Sequence, residues 1–581
     1  MMRLPRHAAQ HARPRIEAFM TRLALVGLIA VLVAVNLVCV FLDQTPYLQD
    51  SGRYLILSHC WFEAFAGRQS FLACHLVRTD QKPDIWLALG ALAQHAFFAT
   101  GRQDAVIVAE QIFLALLLLG VYVVARQLAP NERPAVALFA VFVTGVSPVV
   151  FGLSKKYMGD LPLAAAIWAA LAVLLATDRF RRPWRSVAFG ASCGAGLLMR
   201  PTFALFLAGP AALTMAAAWR DKSGRGPALR HAACAAAAAI AIAAPWYLRN
   251  FRGSYRHYAA FGENLPTAFG CTAGRYLRLI AAEQLGWVFA ALLVAGLVRL
   301  LASAELRAKY GALLAAGFGS MAIPFFYLGS ARVAFARYAI GWVPWLAIVL
   351  ALGLSAEGGA AVRLRRAIVG LAVAFGAFQF ACLSFSTAPW RPDPPVLERV
   401  LGFPDFSHYP GDTHVGLFRI DRRGWSDREF CRVADELRPG LVRVLLLTDF
   451  PCRDAIAFQA IKWCLVFDES ESQMVRTDVA GPRLAEMADA AQRWPQLTLL
   501  AYADESRLAQ AVATLGLENG GRFQRVFRRP SADGFVALYR NSAPDPDAPA
   551  PPTVAGAGEC VAFDKCREWC VKTAGAAAEK N

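Results

Sequence analysis

Asp50-Ser51-Gly52-Arg53-Tyr54 follows the first long apolar run of the chain and sets a carboxylate three residues from a guanidinium. Residues three apart share a helix face. One short stretch can therefore supply both a proton acceptor and a holder for an anion. A second acid, Asp160, stands in "GDLPL" at the mouth of another apolar run. Cations gather around the same part of the pattern: Lys82, Lys155, Lys156, Arg200, the group Arg249, Arg252 and Arg256, and Arg332 with Arg337, the last followed by Tyr338. Several lie beside the ends of apolar runs, where an anionic headgroup such as a lipid phosphate would be held. Plainer accounts stand beside this one. Asp50 and Arg53 could form a surface salt bridge worth at most about 1 kcal/mol. Asp160 could cap a helix that has Pro162 in its first turn. Arg200 could snorkel, and anionic lipids attract Lys and Arg on either leaflet.

The elements that must position these residues are membrane helices. The chain has 581 residues, 57% hydrophobic and 18% charged, with a mean hydropathy of +0.39. That is too apolar for a soluble protein of this length. About eleven apolar runs have the length to cross roughly 30 Å of hydrocarbon as helices: 22–42, 104–125, 135–150, 161–177, 186–199, 201–219, 231–247, 285–301, 310–328, 338–355 and 367–385. The segment 84–99, "DIWLALGALAQHAFFA", carries Asp84, Gln94 and His95 and reads as an interfacial or partly buried helix. The first run exceeds a signal-peptide core, lacks a small-residue cleavage site and follows Arg3, Arg6, Arg13, Arg15 and Arg22. It is expected to be a retained helix behind a basic cytoplasmic N-terminus, residues 1–21.

Short cytoplasmic loops are rich in Lys and Arg. "DRFRRPWRS" (178–186), "WRDKSGRGPALRH" (219–231) and "AVRLRRA" (361–367) all fall on the face of the N-terminus when the eleven runs are counted. The opposite face then receives 43–103, 151–160, 248–284, 329–337 and everything after 386, with the acids and cations named above. The net charge of +17 is largely cytoplasmic-loop arginine. With no soluble basic domain beside it, it does not point to nucleic acid.

After residue 386 the chain passes through "STAPWRPDPP" into a soluble segment. Strand-like runs "VRVLLLTDF", "KWCLVFD", "LTLLAYAD" and "FVALYRN" alternate there with the helical stretches "GPRLAEMADAAQRW" and "ESRLAQAVATLGL". The order predicts a small α/β domain within 386–545, followed at 546–581 by a disordered spacer and a Cys-containing tail. Phosphate-loop, dinucleotide and catalytic-triad motifs are missing from it. Cys60 and Cys74 in the first outer loop, and six cysteines after residue 430, are free to form disulfides on that face. Their pairing cannot be read from the sequence.

Taken in order, "DSGRY", "DQKPDIWL", "SPVVFGLSKKYMGDLPL", "GLLMRPTFAL", "PWYLRN" and "ARYAIGWVPWLAIVLALGL" resemble the outer-face motif series of GT-C glycosyltransferases of the aminoarabinose-transferase and protein-mannosyltransferase type, over about residues 20–390. On that resemblance Asp50 is similar to the family's first-loop acid, with Arg53 and Tyr54 after it as in "D-x-x-R-Y". Asp160 resembles the acid of a second "D-x-P" motif. Lys82-Pro83 resembles a "K/H-P-P" motif whose second proline is here Asp84. Arg200 stands where the family commonly has a lysine, and Arg337-Tyr338 resembles its "R-Y". The resemblance implies Asp50 and Asp160 as catalytic acids and Arg53, Lys82, Arg200, Arg337 and Tyr338 at the donor phosphate, with Tyr54 and Arg249 as further candidates. No cofactor is implied with certainty. A divalent metal lacks support, since Gln81 stands where some relatives carry a metal-binding glutamate.

The expectation is a multi-span α-helical GT-C membrane domain over 22–385, with the C-terminal α/β domain outside the cytoplasm, in a cell inner membrane. Its reaction would move a sugar from a polyprenyl-phosphate donor to an envelope acceptor, whether lipid, polysaccharide or protein. A flippase for the same lipid-linked sugar is the rival. No internal repeat and no matched pair of interrupted helices favours the rival.

Overall fold

The computed structural model describes residues 6–42, 58–65, 85–97, 106–263, 276–329 apart from 278, 336–355, 362–384, 443–448, 471–476, 497–502 and 505–544 apart from 520, 532 and 533, with isolated positions that include Tyr54, Cys74 and Leu484. The chain divides into two compact units, one of residues 1–41, 60–405 and 417–419, the other of 42–59, 406–416 and 420–581.

The first unit is helical. Its α-helices are α1 (Arg6–Leu42), α2 (His59–Phe65), α3 (Leu87–Phe97), α4 (Val106–Leu128), α5 (Pro134–Gly145), α6 (Pro148–Leu153), α7 (Asp160–Ala176), α8 (Pro183–Met199), α9 (Phe203–Arg220), α10 (Arg225–Glu263), α11 (Trp287–Ala302), α12 (Ala304–Gly329), α13 (Val343–Ser355) and α14 (Val362–Ser384). Among the described residues seven helical segments are long and apolar enough to cross a membrane, and α5, α7 and α11 are shorter apolar helices. The described residues of the eleven apolar runs lie largely in helix. Three of the runs are interrupted, however: Pro148 opens a new helix after Ser147, Gly286 at φ 80° separates Leu285 from α11, and the run at 338–355 begins as a 3-10 turn, Ala336–Trp342, before α13. The 84–99 segment yields an 11-residue helix, about 16 Å at 1.5 Å per residue, short of the hydrocarbon thickness.

Helices α4, α7 and α13 form the centre. Trp168 of α7 is fully buried against Trp345 of α13 with ring centroids 5.1 Å apart, and its Nε1 donates to the Gly341 carbonyl at 3.1 Å. The outer helices keep large apolar side chains exposed, among them Val31 on α1, Leu248 on α10, Phe318 on α12 and Leu371 on α14. Lipid covers such a surface in a protein of this class. The Ala-rich run of α10 is close-packing surface, as its composition predicts. A Cβ at Gly190 or Gly194 of α8 would run into the backbone of α10 at Ala235 or Ala239.

Two of the arginine-rich loops, 178–186 and 219–231, meet at one end of the helices. Arg181 pairs with Asp221, and His231 Nδ1 lies 2.9 Å from the Phe180 carbonyl. Arg181 holds the Asp221 carboxyl down at about 2, with a further hydrogen bond from Ser223. Asp178, Arg179 and Phe180 in this loop are all left-handed, with φ of 53°, 58° and 61°, an uncommon run for residues with a Cβ.

Among its described residues the second unit contains a five-stranded sheet in the order β2-β1-β3-β5-β4. Its strands are β1 (Arg443–Thr448), β2 (Glu471–Arg476), β3 (Leu497–Tyr502), β4 (Phe523–Ser531) and β5 (Gly534–Asn541). The first three are parallel and the last two join antiparallel. Helix α15 (Glu505–Leu515) lays Leu508, Val512 and Leu515 on the sheet, against Leu445, Leu447, Leu500 and Tyr539. β1, β3, β5 and α15 occur where the pattern places them. Strands β2 and β4 were not foreseen, and the strand-like stretch 462–468 lies outside the described residues. Strand β4 carries Arg525, Arg528, Arg529 and Pro530, a composition that suits only a sheet edge, which is where it sits.

Candidate active site

Asp160 occupies the first turn of α7, whose N-cap is Gly159 with no side-chain cap. The carboxylate does not close the helix. It is fully buried and turned toward Arg200, the residue that ends α8. Arg200 Nη1 donates to Asp160 Oδ1 at 2.6 Å and Nη2 to Oδ2 at 3.3 Å. This forked geometry matches a guanidinium to both carboxylate oxygens, and the N-terminus of α7 adds its favourable dipole. Arg200 therefore is not simply a snorkelling side chain. With 17% of its side chain exposed against 1% for Asp160, it remains the half of the pair that an incoming anion could meet.

The neighbourhood is built by short ties among non-adjacent elements. The Ile85 N–H donates to the Leu198 carbonyl at 3.3 Å, the Tyr247 hydroxyl to the Leu197 carbonyl at 2.9 Å, and the Tyr157 hydroxyl to the Leu87 carbonyl at 3.2 Å. Trp86 packs edge-on to Tyr157 at 4.9 Å. Helix α3 and the "PWYLRN" stretch of α10 are thereby drawn to the end of the bundle that holds Asp160 and Arg200.

Arg337 joins this group from the 3-10 turn. It is buried, its Nη1 lies 3.7 Å from Met158 Sδ, and its guanidinium stands 5.2 Å from the centroid of the Tyr338 ring. Met158 precedes Asp160 by two residues, so the arginine reaches the acidic turn through the thioether. Arg249 is exposed on α10 and is not brought into the group. Tyr54, in the second unit, is buried, and its carbonyl accepts the Ser58 N–H at 2.9 Å. Asp50, Arg53 and Lys82 lie outside the described residues. Cys74 is buried and disulfide-bonded, which suits an oxidising face. Among the described residues no three His, Cys, Asp or Glu side chains converge as metal ligands.

Two residues at this end were not singled out from the sequence. Glu110 and Gln111 are buried in α4, within "VIVAEQIFLALLLLG". Glu110 Oε1 accepts the Met158 N–H at 3.3 Å, and Gln111 Nε2 donates to the Ser154 carbonyl at 2.6 Å. Their signal was present in the sequence, since an ionisable residue inside an apolar run seldom lacks a role.

Residues 86–249 match the family model described as dolichyl-phosphate-mannose-protein mannosyltransferase. That span contains Glu110, Asp160, Arg200 and Arg249. The fold is shared with ArnT from Cupriavidus metallidurans. Its apo structure is 16% identical in sequence with a TM-score of 0.55, covering 89% of this chain and 98% of that one. Its structure bound to undecaprenyl phosphate is 17% identical with a TM-score of 0.56, covering 91% and 99%. No curated protein matches the sequence significantly. The chain thus has a multi-span helical membrane unit and a C-terminal α/β unit, and shares its fold with the two ArnT structures.

Proposed function

We propose that the chain is a membrane glycosyltransferase that moves a sugar from a polyprenyl-phosphate donor to an envelope acceptor on the extracytoplasmic side. The observation that carries this reading is the buried Asp160–Arg200 pair, which lies inside a span matched by a glycosyltransferase family model; Arg337, from outside that span, reaches the same turn through Met158. Supporting it, the ArnT structure of the same fold binds undecaprenyl phosphate.

In the reaction the bond between the sugar C1 and the donor phosphate oxygen breaks, and a bond from C1 to the acceptor oxygen forms. The polyprenyl phosphate leaves with the electron pair, and the acceptor's proton passes to a carboxylate. The polyprenyl tail stays in lipid, so the protein's task is polar. Arg200, Arg337, Lys82 and Arg53 hold the phosphate and stabilise the charge that it gains on leaving. Asp50 takes the acceptor's proton. Asp160 keeps the Arg200 fork oriented toward the phosphate and adds negative potential for the sugar's developing positive charge. Attack from the side opposite the phosphate inverts the anomeric carbon.

The test is whether the purified chain in nanodiscs releases polyprenyl phosphate from a polyprenyl-phosphate sugar. Release dependent on Asp50 supports the reading; movement of the intact lipid across the bilayer without release replaces it with the flippase. Sidedness is read separately. A reporter active only in the cytoplasm, fused after residue 545, is expected to be silent, and its activity would overturn the assigned face.

A further inference from the structure

We propose that Glu110 is a positioning residue that, with Gln111, clamps the Ser154–Met158 turn and so sets the places of both Asp160 and Arg337. The inference rests on the glycosyltransferase reading for its kinetic arm alone.

A carboxylate at 0% exposure among Val, Ile and Leu side chains is costly unless something in the fold uses it. Glu110 and its neighbour Gln111 each send one polar atom to the same short loop. Gln111 Nε2 donates to the Ser154 carbonyl at 2.6 Å, at the start of the turn. Glu110 Oε1 accepts the Met158 N–H at 3.3 Å, at its end. Asn36 of α1 reinforces the first anchor, donating from Nδ2 to Ser154 Oγ at 2.7 Å and to Gln111 Oε1 at 3.3 Å. The turn is therefore fixed at both ends from one helix.

Two site residues depend on the second anchor. Met158 fixes the backbone two residues before Asp160, and its Sδ lies 3.7 Å from Arg337 Nη1. One buried hydrogen bond thus sets an acid on α7 and a cation on the 3-10 turn, elements widely separated in sequence. Glu110 Oε2 has no hydrogen-bond partner among the described residues, and the Asp160 charge is within its electrostatic reach. The carboxylate does not occupy Arg200, which is forked onto Asp160. Its contact with the site is the Met158 amide.

Reach and charge are separable by substitution. Glu110→Gln keeps the acceptor oxygen and the length while removing the ionisable carboxyl; Glu110→Asp keeps the carboxyl but falls one methylene short of the amide. Full-length variants in nanodiscs are compared for release of polyprenyl phosphate from a polyprenyl-phosphate sugar, and for hydrogen exchange across residues 154–160. If Glu110 acts by position, Glu110→Asp and Glu110→Ala lower kcat by about 10- to 100-fold with a smaller change in donor KM. Exchange rises over 154–160 alone, and Glu110→Gln recovers most of the loss. Recovery by Asp rather than Gln, or exchange and turnover unchanged in Glu110→Ala, overturns the proposal. So does a uniform rise in exchange through α4 and α7, which marks a purely structural role. If Glu110→Ala does not fold, the Gln and Asp pair still decides. If the unaltered protein releases no polyprenyl phosphate, the glycosyltransferase reading fails, while local exchange in Glu110→Asp against Glu110→Gln still judges the clamp.

Discussion

Arg200 grips Asp160 with both terminal nitrogens, at 2.6 and 3.3 Å, across the gap between the end of α8 and the start of α7. The acid is buried and the base is partly exposed. The two groups cannot be varied independently, because neutralising the arginine strands a carboxylate in the interior. Breaking one side of such a pair typically costs about 3–5 kcal/mol, more than the intact pair contributes.

Arg200→Gln should therefore lower the melting temperature of the purified protein as well as weaken donor binding. Arg200→Lys should be milder, since the charge remains although the planar fork is lost. Asp160→Asn combined with Arg200→Gln should cost less stability than the sum of the two singles. The measurement is a thermal melt of these four variants and the natural protein in one detergent. A wild-type melting temperature in Arg200→Gln, with donor binding lost, would show that the arginine serves the ligand alone.

A second ion pair, in the loop between α4 and α5, gives a pH dependence. Half-buried Glu132 accepts hydrogen bonds from Lys309 Nζ at 2.5 Å and from the Tyr310 hydroxyl. Burial works to raise its carboxyl, but the hydrogen bonds from Lys309 and Tyr310 and the charges of Lys309 and Arg133 outweigh it, so it titrates below the ordinary glutamate value. A depressed carboxyl stabilises the fold above the unfolded value of about 4.3 and loses that contribution as pH falls through the folded value. Melting temperature should thus decline below about pH 4 in the natural protein and decline less in Glu132→Gln. A partly exposed pair contributes up to about 1 kcal/mol, so the curves should differ by a few degrees near neutrality and converge in acid.

Helix packing yields a sharper stability test. The missing side chain at Gly190 lets α10 approach α8 so closely that any Cβ meets the Ala235 carbonyl. Gly190→Leu must push the helices apart and should abolish a monodisperse detergent peak. Gly27 has open space around it, so Gly27→Leu should be tolerated. Equal behaviour of the two variants would show that the α8–α10 approach is not needed for folding.

Spans were legible because a crossing helix is a property of composition and length, and the described residues of the apolar runs are largely helical. The break before Pro148 and the 3-10 entry at Ala336 depend on local packing and left no mark in hydropathy. Strand β4 was illegible because Arg528, Arg529 and Pro530 read as loop until the strand is known to lie at an edge. Asp160 and Arg200 were each visible as candidates, yet their pairing across 40 residues follows only from how α7 and α8 pack. Glu110 could have been found, since a charge in an apolar run needs a reason.

The first-loop acid carries the most direct test of the chemistry. Asp50→Asn keeps the side chain's size and much of its hydrogen bonding while removing the base. If Asp50 takes the acceptor's proton, turnover should fall by about 10² to 10⁴-fold, the usual range for a general base, with donor affinity little changed. An acceptor that is itself an anion needs no base. Asp50 would then orient Arg53 or stabilise the sugar cation, and the loss would be smaller and matched by Arg53→Ala. Combining Asp50→Asn with Asp160→Asn separates the roles further: two carboxylates acting on one transition state give a double variant less impaired than the product of the singles. The measurement is single-turnover release of polyprenyl phosphate at saturating donor, with donor binding determined on the same preparations. Full turnover in Asp50→Asn would end its assignment as the catalytic base and leave an ordinary surface ion pair with Arg53 as the account of both residues.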